Sequence, residues 1–79
     1  MSRFFFDIDD GERRTRDDVG LDFADAQNAR DKAVSALPDI ARDVMPDGQQ
    51  RDFFVTMRDE SGRPIFKASL SLRTEWLNV

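Results

Sequence analysis

Along this chain, apolar and polar residues alternate with a period of two in separate stretches, interrupted by one longer run with a period of three to four. In residues 3–9, Phe4, Phe6 and Ile8 fall on one face and Phe5 lies on the other beside Asp7, which predicts a strand. Asp10-Gly11 signals a hairpin turn. Residues 12–16 can pair back, but they carry almost no apolar side chain, so that strand belongs at an edge. Asp18, Val19 and Gly20 form a second turn. In residues 52–58, Phe53, Val55 and Met57 alternate against Phe54, Thr56 and Arg58. After a loop of turn residues at 59–64, residues 65–75 set Phe66, Ala68, Leu70 and Leu72 against Lys67, Ser69, Ser71 and Arg73. Such alternation marks a sheet with one dry and one wet face. Trp76 continues the dry parity and is expected to close the end of the core.

From Ala24 the period becomes helical. Ala26, Ala29, Ala33, Leu37, Ile40, Ala41 and Val44 recur at steps of three and four, an alanine-rich stripe able to lie close against a sheet. Asp22 and Asp25 are candidate caps for the free N–H groups at its start. Pro38 interrupts the run, because an internal proline removes a hydrogen bond and clashes one turn back, at about 3 kcal/mol. The stripe stays in phase beyond it. The pattern therefore predicts either a kink near Val34 to Pro38 or two short helices in line. Met45, Pro46, Asp47 and Gly48 carry the stop signal.

The order is β-β-α-β-β, which predicts an α+β domain over residues 1–79, a four-stranded antiparallel sheet with one kinked helix packed on one face. If all neighbours are antiparallel, the strands lie in the order 2-1-3-4, with the two phenylalanine-rich strands in the middle.

Seventy-nine residues bury a modest share of their surface, so a small domain of this kind leans on staples or partners. Disulfides are excluded because there is no cysteine, which fits a reducing compartment. No run is long and apolar enough for a membrane span, and the start is too short in apolar residues for a secretory signal. A cytoplasmic protein is expected. Twelve basic residues against sixteen acidic ones give a net charge of −4. The two signs interleave, as in Arg13 to Asp18, which is the pattern of a solvated surface.

Histidine and tyrosine are absent along with cysteine. This removes the commonest general base, the most nucleophilic side chain and the phenolic proton donor. Lys32 and Lys67 read as solvated charges. The carboxylates cluster in turns, where water keeps their pKa values ordinary. In Asp7-Ile8-Asp9-Asp10-Gly11-Glu12, glycine occupies the position of the third ligand of a calcium loop, so that register fails. No glycine pattern for nucleotide phosphates occurs. The expectation is a non-enzymatic protein with no catalytic, metal-binding or cofactor-binding residues.

Two kinds of partner remain. Phe5 and Phe54, if adjacent on the wet face with Arg58, Lys67 and Arg73, could stack bases, but the net charge opposes nucleic acid. The more economical reading is protein contact. Phe5, Phe54 and Ile65 share the face turned from the helix, and together they would form an apolar patch that a small monomer rarely leaves open. A homodimer through that face, or an edge-to-edge sheet extension, would cover it; residues 76–79 folding back is the intramolecular alternative. The expected function is a homodimeric protein-interaction module, with a nucleic-acid-associated or antitoxin-like regulator as the alternative.

The segments "RFFFDIDDG", "RDDVGLDF" and "RDESGRPIFKASLSL", with the alanine- and arginine-rich helix between them, resemble a bacterial family of short proteins known only as a domain of unknown function. The resemblance covers nearly the whole chain. It implies a stand-alone cytoplasmic protein with no assigned activity, and its motifs are structural punctuation that transfers no functional residue.

Overall fold

The computed structural model describes residues 1–44 and 50–78. Strands β1 (Ser2–Asp9), β2 (Arg14–Thr15) and β3 (Leu21–Phe23) precede a helix, α1 (Ala26–Val44), and strands β4 (Gln50–Arg58) and β5 (Pro64–Arg73) follow it. The sheet is open and antiparallel in the order β2-β1-β4-β5, with β3 also paired to β1. The expected α+β class and strand order are thus present, and β3 makes a fifth strand beyond the four expected. At three residues, β3 is too short to show a period. The second strand is likewise only Arg14–Thr15, because the turn before it spans four residues: Asp10 N–H donates to the Arg13 carbonyl at 3.1 Å and Gly11 adopts φ +95°.

Helix α1 runs unbroken through Pro38, which excludes two separate helices. Pro38 itself is exposed, while Leu37 and Ala41 beside it are buried and hold the helix to the sheet across the missing hydrogen bond. Asp25 caps the start, its Oδ1 accepting from Asn28 N–H at 2.9 Å. Asp22 does not cap; it pairs with the Arg3 guanidinium at 3.0 Å. The expected stop at residues 45–48 lies outside the described residues.

Ala29, Ala33, Leu37 and Ala41 pack on Phe4, Phe53, Val55 and Met57 to form the buried core, with Phe6, Ile8, Phe66 and Ala68 half-buried around it. The small alanines let the helix lie close, and the full burial of Phe53, Val55 and Met57 makes β4 the floor of the core. The expectation for Trp76 fails. Strand β5 ends at Arg73, the alternation ends with it, and Trp76 and Leu77 stand 83% and 80% exposed. They close no core and cover no face.

Candidate functional site

Strands β2 and β3 pair with the same edge of β1 at its two ends, residues 8–9 and 2–4. Between them the chain leaves the sheet, and the backbone N–H of Phe6 has no strand partner on that side. Asp17 supplies one: its Oδ2 accepts from Phe6 N–H at 3.0 Å, while Oδ1 accepts from Val19 and Gly20 N–H, both at 3.0 Å. In return Asp17 N–H donates to Asp7 Oδ1 at 2.9 Å. A buried edge with an orphaned donor is costly, so this clasp fixes the course of residues 16–20. Gly20 sits at φ +74°, and a Cβ there would come within 2.9 Å of the Phe4 carbonyl. Only glycine fits that approach.

The clasp continues onto the wet face. Arg58 Nε and Nη2 donate to Asp7 at 2.7 and 3.0 Å, and Nη2 also donates to the Asp17 carbonyl at 2.7 Å. The guanidinium lies 5.1 Å from the centre of the Phe5 ring, and Arg58 is only 7% exposed. The Arg58 guanidinium holds the Asp7 carboxyl below the usual range against the opposing pull of burial. Burial pulls Asp17 upward, but the N–H donors of Gly20, Phe6 and Val19 outweigh it and leave its pKa lowered. Both carboxylates are therefore kept ionised, and neither is poised to exchange protons near neutral pH. The sequence pattern puts Arg58 and Asp7 on the wet face and Asp17 in a solvated run of mixed charge. The structure instead ties them into one network joining β1, β4 and the segment before β3.

The three expected interface residues occupy separate places. Phe5 pairs with Arg58 and Phe54 with Asp9, four register positions apart, with Asp7, Thr56 and Lys67 between them. Lys67 Nζ stands 4.6 Å from the centre of the Phe54 ring, as Arg58 stands over Phe5. Each ring thus has a cation over it, and the two do not form one continuous surface. Ile65 falls where the β4–β5 register shifts, at Met57/Arg58, and is 42% exposed along the outer strand. Among the described residues no group of three or more acids gathers to hold a metal ion. Asp9 Oδ1 accepts from Gly11 N–H, and Asp10 Oδ1 from Glu12 and Arg13 N–H, so these oxygens serve the turn.

On the dry side the clasp has a further effect that alternation could not reveal. Helix α1 covers β4 but leaves the inner flank of β1 open. There Phe6, Ile8 and Val55 form the floor of a groove, Ala33 and Ala36 one wall, and Val19 and Leu21 the other. Its volume is about 530 Å³, and Arg16, Asp17, Asp18 and Lys32 add charged groups to its lining. Val19 is 73% exposed and Leu21 49%. The groove has the size and apolar lining of a preformed binding cleft. Its far wall is held by Asp17, so it does not depend on a ligand to form. No described helix is long and apolar enough to cross a membrane.

A family model described as a domain of unknown function (DUF6894) matches residues 3–71. No curated protein and no solved structure matches the chain.

Proposed function

Because the chain belongs to the DUF6894 family, a membership that carries no activity, we propose from its own surface that it is a non-enzymatic protein-contact module that self-associates. The observation that carries this reading is a pair of uncovered apolar surfaces: Trp76 and Leu77 beyond β5, and the open groove beside Val19 and Leu21. Burial of such surface is the main drive for association, and a small domain gains most from it. The missing histidine, cysteine and tyrosine, together with the lowered pKa values of Asp7 and Asp17, support a role without proton transfer. The absence of cysteine supports work in the cytoplasm. Nucleic acid loses support, since Arg58 is committed to Asp7 and Lys67 lies over Phe54.

Native mass spectrometry and sedimentation across a concentration series test the reading. A dimer that dissociates on dilution is expected. A monomer at every concentration would overturn it.

A further inference from the structure

The two uncovered apolar surfaces lie far apart on one molecule. The groove floor includes Val55, which pairs with Ala68; β5 then runs five residues further to Arg73. At about 3.3 Å per residue that is roughly 17 Å of strand, directed away from the groove, before segment 74–78 begins. The long dimension of the molecule, 54 Å, accords with this reach. Trp76 and Leu77 stand exposed beyond that end and do not lie in the groove of their own chain.

We propose that segment 74–78 of one copy seats Trp76 and Leu77 in the groove between α1 and residues 15–21 of a second copy, and that the exchange is reciprocal. This rests on the self-association reading and names its contact. Size supports it, since an indole and a leucine side chain lie well within about 530 Å³. The groove's charges are mixed, with Asp17 and Asp18 lining it beside Arg16 and Lys32. Arg16 pairs with Asp18 at 3.6 Å and the Asp17 carboxylate is taken up by backbone N–H groups, so Lys32, with no ion pair among the described residues, is the charge that can meet Glu75, which directly precedes the indole. Among the described residues, the exchange covers the four most exposed large apolar side chains beyond Met1, namely Val19, Leu21, Trp76 and Leu77. An inserted tryptophan alone buries about 150–250 Å², so two reciprocal contacts form an interface at the small end of the specific range, in keeping with a dimer that dissociates on dilution. Two antiparallel copies that exchange segments close on themselves, so the product is a dimer rather than a chain of copies.

Trp76 is the only tryptophan, so its emission reports the contact directly. Expected are a blue shift on concentration that parallels dimer formation, and a dimer dissociation constant raised about thirtyfold or more by Trp76→Ser, the scale of an interface hot spot. Ala36→Phe, which fills the groove, should do the same while far-UV circular dichroism stays unchanged. Lys32→Glu should weaken the dimer, and Lys32→Glu combined with Glu75→Lys should restore it. A dimer that survives Trp76→Ser, or whose Trp76 emission stays that of an exposed indole, overturns the proposal. A dimer lost instead to Leu70→Lys places the contact on the β5 edge, which sinks the exchange and leaves self-association standing. A monomer throughout sinks both.

Discussion

Replacing Asp17 by alanine removes the acceptors of three backbone N–H groups at once: those of Phe6, Val19 and Gly20. A hydrogen bond to a charged acceptor contributes about 1.5–3 kcal/mol when buried, and less where water can replace it. The Val19 bond is exposed and the Phe6 and Gly20 bonds are part-buried, so a total of about 2–3 kcal/mol is expected. For a domain of this size that lowers Tm by about 10–20 °C in differential scanning calorimetry. Asp17→Asn keeps one acceptor oxygen and should lose about half as much. The pH dependence gives a second readout. A carboxylate whose folded pKa is depressed stabilises the fold above its unfolded pKa of about 3.9, and that stability is lost as pH falls through the folded pKa. The wild-type protein should therefore lose stability below about pH 4, and Asp17→Asn should show a shallower decline over the same range, with Asp7 supplying the remainder. If Asp17→Ala melts within about 2 °C of wild type, the carboxylate is not what holds residues 16–20 to β1.

Arg58→Ala should cost about 3 kcal/mol in urea unfolding, because it leaves Asp7 unpaired at a half-buried site and uncovers Phe5; an unchanged midpoint would show that water replaces the guanidinium without loss. Gly20→Ala should destabilise by at least about 1 kcal/mol, since the position combines positive φ with a backbone clash; a melting temperature equal to wild type would contradict the close approach. Pro38→Ala should raise Tm by about 5–10 °C. It restores an internal helix bond at an exposed site, offset in part by the looser unfolded chain. A lower Tm there would mean that the proline is built into the packing.

The sheet order was readable because each long strand carries a strict alternation, and because the near absence of apolar residues at 12–16 forces that strand to an edge. The helix was readable through Pro38 because its stripe never loses phase. What alternation could not show is what lies over a residue once its side is known. Arg58 falls on the wet side as its parity requires, yet Asp7, Asp17 and Phe5 close around it. Asp17 reads as one more turn acid, and only the gap between β2 and β3 gives it three backbone donors. The groove was hidden for the same reason: it is built by residues 15–21, where no period operates. Trp76 shows the opposite error, a parity carried past the point where the strand had ended.

The two long margins of the sheet are unlike. Along β1 the outer margin is broken into two short pairings with a carboxylate set between them, so a foreign strand finds no continuous row of free amides there. Along β5 the margin is longer, and past the irregularity at Pro64 and Ile65 it runs in register from Phe66 to Arg73. A strand added to β5 therefore meets a template on one side only, and two copies joined at that margin would present nothing for a third. By this asymmetry an open sheet rich in phenylalanine offers one long template edge rather than the two that open-ended strand addition requires.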